Sequence, residues 1–374
     1  MMKMRHVFVN RTFLLGVCFL MIIVRAGLGE TARPAFATES VAQQTSQGIL
    51  VLQKWYNPQT GLYDGTGWWN SANAITVLTD YARATNTKKY NQLLANTLVR
   101  AQLKSPGFIN DYYDDEGWWA LAWIDAYDLT GDQKYLMAAE SIFVDMVGGW
   151  DQTCGGGIWW SKERHYKNAI ANELFFSVAA HLANRDQIHR EQYFGWADRS
   201  WKWFAATGMI NGQNLVNDGL TSANSQADAT SCKNNGQTAW SYNQGVLLGG
   251  LVEFSRIDRT ASPALLQTAH KIATAAITRL VDRNGVLHDS CEPDCGADGV
   301  QFKGIFVRNL VSLYKASPQP AYKEFIDTNA KAILNSGRSS DYQFDQRWSG
   351  AFSKGDAASQ SSALDALVGA IVLD

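Results

Sequence analysis

From Glu39 to the end of the chain, apolar positions recur at three- and four-residue intervals, and segments alternating with period two are nearly absent. This periodicity predicts helices over 39–56, 73–84, 88–102, 120–129, 132–147, 168–184, 187–206, 240–254, 263–281, 302–314, 322–335 and 359–373. Asn57-Pro58 stops the first, because proline cannot continue it. Helices rich in small, apolar and aromatic residues alternate with helices that carry more charge. A helix apolar nearly all round is buried, whereas one with a single apolar stripe is peripheral. The alternation therefore predicts an all-α chain of about twelve helices in six pairs, closed as an (α/α)6 barrel with inner and outer rings. An open solenoid of helical pairs would show the same period. The long polar loops, however, always precede the inner helix, and closing the ring gathers them at one end around a cleft.

Those loops repeat one composition. Asn110–Trp123 reads N-D-Y-Y-D-D-E-G-W-W-A-L-A-W and sets Asp114 and Asp115 between Tyr112, Tyr113 and Trp118, Trp119. The helix is expected to begin at or just after the two aspartates, which makes them the candidate reactive pair. The ordinary alternative is that one of them caps the helix and the other is solvated. About 50 residues earlier, Tyr63-Asp64-Gly65-Thr66-Gly67-Trp68-Trp69 states the same theme, and Trp159-Trp160, Tyr242-Asn243 and Trp348 extend it. Tryptophan faces beside Asp and Asn suit a pyranose, whose C–H face stacks while its hydroxyls take hydrogen bonds. Core packing is the more ordinary explanation for any single one of the 14 tryptophans, so their collective placement is the informative feature.

Composition narrows the class. At 374 residues and 46% hydrophobic, the chain can bury a large core. Its start carries Lys3, Arg5 and Arg11, an apolar run from Thr12 to Val24, and then Arg25 and small residues up to Ala37, in the order of a secretory signal peptide. The run is too short to span a bilayer comfortably. Cleavage is expected after Ala37, or earlier near Gly29, leaving one catalytic domain over 38–374. Removing five basic residues and one acidic from the 33 and 35 of the full chain leaves 28 against 34, which argues against a nucleic-acid partner. Cys154, Cys232, Cys291 and Cys295 remain, an even count that reads as two disulfides in a secreted chain. Of three pairings, Cys291–Cys295 around the Glu-Pro-Asp turn with Cys154–Cys232 between loops is preferred. No cysteine has a histidine at zinc spacing, so neither metal nor cofactor is expected.

Glycoside cleavage with retention uses a nucleophilic carboxylate and a carboxylic acid roughly 5 to 5.5 Å apart, and inversion uses a wider gap that admits water. Neighbouring side chains at a helix start reach the shorter distance. The dipole favours an ionised nucleophile there, while one negative charge raises the affinity of the other group for a proton. The residues themselves do not say which aspartate plays which part.

Five segments in order carry a resemblance: D-Y-Y-D-D-E-G-W-W-A-L-A-W (111–123), G-G-G-I-W-W (155–160), K-N-A-I-A-N-E-L-F (167–175), S-Y-N-Q-G-V-L-L-G-G-L (241–251) and F-K-G-I-F-V-R-N-L (302–310). Together they resemble glycoside hydrolase family 76, the endo-α-1,6-mannanase family with fungal cell-wall relatives, across about 38–374. The resemblance implies an (α/α)6 barrel, retention, Asp114 as nucleophile and Asp115 as acid/base. It also implies mannose contacts from Asp64, Tyr113, Trp118, Trp119, Asn172, Tyr242, Asn243, Gln244, Lys303 and Arg308, although capping or internal ion pairs account for the polar ones as well. The expected substrate is α-1,6-mannan or a mannosyl oligosaccharide, attacked by a secreted monomer that is extracellular or cell-wall-associated, without stable membrane insertion. The final A-L-V-G-A-I-V-L-D lacks a spacer and long apolar tail, so no GPI anchor is expected. Two alternatives remain open: a transglycosidase passing the mannosyl group to a wall acceptor, and a mannan-binding protein without turnover, which would have no need of both carboxylates.

Overall fold

Ser40 begins the helical part with a capping box: its hydroxyl accepts the Gln43 N–H, and the Gln43 side chain accepts the N–H of Ser40. The computed structural model describes residues 39–221 and 231–374, and the expected signal segment lies outside the described residues. Helix α1 (Val41–Leu52) gives way to a small antiparallel hairpin of β1 (Tyr56–Asn57) and β2 (Leu62–Tyr63), turned where Pro58 forbids further helix. Then follow α2 (Trp68–Ala84), α3 (Asn91–Arg100), α4 (Tyr113–Thr130), α5 (Gln133–Val147), α6 (Ala169–Arg185) and α7 (Arg190–Ala206). The chain continues through α8 (Ser241–Ile257), α9 (Ser262–Arg279), the single turn α10 (Gly296–Gly299), α11 (Phe302–Ala316), α12 (Pro320–Asn335) and α13 (Ala357–Leu373).

Helices α2, α4, α6, α8, α11 and α13 each pack on the next, and α13 returns to α2, which closes an (α/α)6 barrel. Helix α5 lies against α4, α7 against α6, α9 against α8, and α1 and α12 against α13. Burial separates the rings as expected: 14 of the 17 residues of α6 are buried, but only five of 17 in α7. Glycine permits the closest inner crossings. A Cβ on Gly245 would lie 2.5 Å from the Phe306 Cα, and one on Gly304 would lie 2.4 Å from the Ser362 carbonyl oxygen.

Two inner helices start earlier than their periodicity indicates, α2 at Trp68 rather than 73 and α4 at Tyr113 rather than after the aspartates. The Trp-Trp pairs of both segments are thus helical, not loop, with Gly67 the extended N-cap of the first. An inner helix has no polar face, so it lacks the stripe that would mark its first turn. Both disulfides join the expected partners, Cys154 to Cys232 and Cys291 to Cys295. Among the described residues, no helix is long and apolar enough to cross a membrane.

Candidate active site

Tyr112, in extended backbone, is the N-cap of α4 and makes no side-chain capping bond. Asp114 and Asp115 are therefore the second and third residues of the helix, where the dipole favours negative charge, and neither caps it. The loop before α6 is strapped across this turn: the Tyr113 N–H donates to the Trp160 carbonyl, and the Lys162 N–H to the Asp111 carbonyl, each at 2.9 Å. The strap brings the Trp160 indole Nε1 to 3.0 Å from Asp114 Oδ2. Asp115 Oδ2 instead accepts the Asn110 side-chain amide at 2.7 Å. Asn110 is fixed in turn, its backbone N–H donating to Glu116 Oε1 at 3.2 Å. Glu116, fully buried, pairs with Lys162 at 3.1 Å, so the third acid of the turn anchors the other two.

The surroundings raise the proton affinity of both carboxyls. Burial, and then the charge of Asp115, push Asp114 well above the usual carboxylate range, against the pull of Trp160 and the first-turn N–H groups. Burial likewise lifts Asp115 to about 6, opposed by Asn110, reinforced by Asp298 and opposed again by Lys104. Two such neighbours lose their protons in two steps that belong to the pair rather than to either residue, and the stronger rise falls on Asp114 although more donors meet it than meet Asp115.

The pair forms one wall of a cleft of about 490 Å³. Aromatic rings make most of the remainder. Trp69 stacks on Trp118 at 5.5 Å, Tyr242 on Phe302 at 3.8 Å, and Tyr112 tilts against Trp160 at 5.0 Å. Tyr112 and Trp160 remain 41% and 38% exposed, forming an open rim. Two further carboxylates line the cleft: Asp218, which accepts the Tyr166 hydroxyl at 2.6 Å, and Asp298, which accepts the Trp69 indole N–H at 2.8 Å. Among the described residues no cation lines it, and no group of three His, Cys, Asp or Glu side chains is arranged to hold a metal ion.

A family profile described as Glycosyl hydrolase family 76 matches residues 37–374. The chain belongs to glycosyl hydrolase family 76. Among its relatives, the mannan endo-1,6-alpha-mannosidase DCW1 of Saccharomyces cerevisiae is 26% identical over 359 residues, which cover 85% of this chain and 75% of that protein. The protein of the same name from Candida albicans is 26% identical over 299 residues, 72% of this chain, and the chain spans 63% of that relative's length. The fold is similar to that of the alpha-1,6-mannanase GH76A of Salegentibacter sp. HEL1_6, solved as an inactive variant with two consecutive aspartates replaced, in complex with alpha-1,6-mannotriose. That likeness has a TM-score of 0.80 at 22% identity and covers 90% of this chain and 100% of the other.

Of the residues expected in the family site, Trp118 and Tyr242 line the cleft with the aspartate pair. The others lie elsewhere. Asp64 accepts the Asn57 amide at 3.3 Å across the hairpin. Tyr113 is buried under the strap with Lys162 over its ring, and Trp119 is fully buried against Trp123 and Phe108. Asn172 accepts the Ile158 N–H at 2.8 Å and donates to the Ile158 carbonyl at 2.9 Å. Gln244 grips Val216 in the same way, at 2.8 and 2.9 Å. These amides act as substitute strand partners for buried loop residues; Asn329 and Gln360 accept the N–H of Leu287 and Phe344 in the same manner but donate elsewhere, Asn329 to Phe325 and Gln360 to Gly48 and Tyr342. Asn243 is fully buried in α8. Lys303 pairs with Glu292 at 2.7 Å and lies over the Trp348 ring. Arg308 reaches Asp365 at 3.1 Å and Asn73 at 2.6 Å, lining a different cavity of about 360 Å³.

The aromatic theme of the loops already points to Trp69, Tyr112 and Trp160. Asn168 and Phe302 lie in two of the quoted segments without being distinguished there, and nothing in the sequence points to Tyr166, Asp218 or Asp298, which the folded loops bring together with them.

Proposed function

We propose that the protein is a secreted endo-acting hydrolase of α-1,6-mannosidic bonds in the mannan backbone, working by double displacement with retention. One observation carries the reading: two neighbouring, half-buried carboxylates with unlike hydrogen-bond donors, on the wall of an aromatic cleft of a size that takes a sugar. Asp114, whose carboxylate form Trp160 and the first-turn N–H groups stabilise against the effect of burial, attacks C1 of the mannosyl unit. Asp115 gives its proton to the departing glycosidic oxygen. In the second step Asp115 takes a proton from water, the water oxygen attacks C1, and Asp114 leaves as the carboxylate. Adjacent side chains in one helical turn favour the short separation of retaining enzymes over the water-filled gap of inverting ones.

The naming of the fungal relatives as mannan endo-1,6-alpha-mannosidases and the mannotriose bound by the bacterial neighbour support the substrate. Two disulfides suit an oxidising compartment. The test is incubation with linear α-1,6-mannan, with and without excess glucan acceptor, followed by NMR from the first turnover. Short mannooligosaccharides with α-configured new ends are expected in both arms. A β-configured first product would refute retention, transfer to glucan would make the protein a transglycosidase, and unshortened mannan would leave a binding protein.

A further inference from the structure

The reaction drawn above makes no use of the Cys291–Cys295 loop, yet this loop delivers a third carboxylate to the cleft. A Cβ on Gly299 would lie 2.7 Å from Cys295 Cβ and 3.3 Å from Cys291 Sγ, so the single turn α10 is seated directly on the disulfide. Gln346 tightens the seat, accepting the Cys295 N–H at 3.4 Å and donating to the Pro293 carbonyl. Asp298 projects from this turn and accepts the Trp69 indole at 2.8 Å, although 229 residues separate the two in sequence. Trp69 in turn stacks on Trp118, in the turn of α4 that follows Asp115. Asp298 is thus held from both sides in the cleft that the aspartate pair lines.

We propose that Asp298 is a positioning residue for the acid/base, a fixed negative charge that keeps the proton on Asp115 until the glycosidic oxygen takes it. The inference rests on the reading of Asp115 given above. Asp114 on the same helix, Lys104 from the turn after α3, Asp218 from the loop before α8, and Asp298 from α10 are the charges that face the site, with Tyr242 from α8 held as the neutral phenol by burial. Lys104 favours the ionised form of Asp115, and Asp298 opposes it. Removing the Asp298 charge therefore lowers the proton affinity of Asp115, and the enzyme loses its acid at a lower pH.

The experiment is the pH dependence of kcat/KM on linear α-1,6-mannan for the wild type, Asp298→Asn and the double variant Cys291→Ser/Cys295→Ser. Asparagine keeps an oxygen for the Trp69 N–H. In Asp298→Asn the basic limb is expected to move down by roughly one pH unit while the acidic limb stays in place. The cysteine variant is expected to move it in the same direction, because Asp298 loses its seat. With a dinitrophenyl α-1,6-mannobioside, whose leaving group needs no proton, the shift in the glycosylation step should vanish. An unmoved basic limb in Asp298→Asn overturns the proposal. So does an equal loss at every pH, which would make Asp298 a ligand of a substrate hydroxyl. Asp115→Asn separates the two readings: normal cleavage of mannan by it would remove the acid/base assignment and this inference together, whereas an impaired Asp115→Asn beside an unshifted Asp298→Asn would remove the inference alone.

Discussion

Replacing Trp160 by phenylalanine isolates what one hydrogen bond does for the nucleophile. The ring and its packing on Tyr112 are kept, and the N–H that meets Asp114 Oδ2 at 3.0 Å is lost. A hydrogen bond to a charged group contributes roughly 1.5 to 3 kcal/mol, and 1.36 kcal/mol corresponds to one pKa unit, so the bond holds the Asp114 proton affinity down by about one to two units. Trp160 is 38% exposed, and water can take over part of the donation, which places the effect near one unit. The sign follows from which form is stabilised. The indole favours the carboxylate and already works against burial, so Trp160→Phe raises the proton affinity of Asp114 further. The acidic limb of kcat/KM on α-1,6-mannan should then move up by about one pH unit, with about a tenfold loss below the limb and little change above it. A loss equal at all pH values would reduce Trp160 to a sugar platform, and an upward shift of the basic limb instead of the acidic one would show that Asp114 is the acid and the other aspartate the nucleophile.

Further substitutions probe the site and its scaffold. Asp114→Asn should lower turnover by roughly 10⁴-fold or more, whereas Asp115→Asn should retain the first step on an activated substrate and regain turnover with azide, giving a mannosyl azide of retained configuration. Azide rescue of Asp114→Asn with inversion fits the same assignment, and an inverted azide from Asp115→Asn would reverse it. Gly117→Ala puts a Cβ 2.7 Å from the Leu174 Cβ and 3.2 Å from the Met146 Cε, so a destabilisation of about 1 to 3 kcal/mol is expected by urea denaturation, and Leu174→Ala in the same chain should recover part of it. Lys167 Nζ is buried 2.8 Å from Asp151 Oδ1 and from the carbonyls of Thr153, Gly156 and Gly157. Lys167→Met strands these acceptors and should cost about 3 kcal/mol, seen as a lower urea midpoint at unchanged slope; an unchanged midpoint would mean that water replaces the ammonium.

The sequence by itself determined what depends on neighbours along the chain. The alternation of all-round apolar and striped helices is a local property, and it implied two rings before any contact was known. The aspartate pair was legible because its two members are consecutive, and Trp118 because it lies one helical turn further along. The cysteine pairing was legible for a related reason, since a four-residue turn leaves Cys291 and Cys295 few other choices. What required the tertiary structure is which partner each polar side chain meets. Asn172 and Gln244 have the chemistry of sugar ligands but spend it on the backbone of Ile158 and Val216, and Lys303 and Arg308 spend their charges on Glu292 and Asp365. Trp119 shares its motif with Trp118, but being one residue further round the helix it enters the core, while Trp118 faces the cleft. Asp218 and Asp298 come from loops far from α4 and reach the cleft only because the inner ring closes and gathers the loops at one end. Residue type along a helix encodes burial, because burial depends on the face. A hydrogen-bond partner hundreds of residues away, as Asp298 is for Trp69, is set by ring closure, which no short stretch of the chain contains.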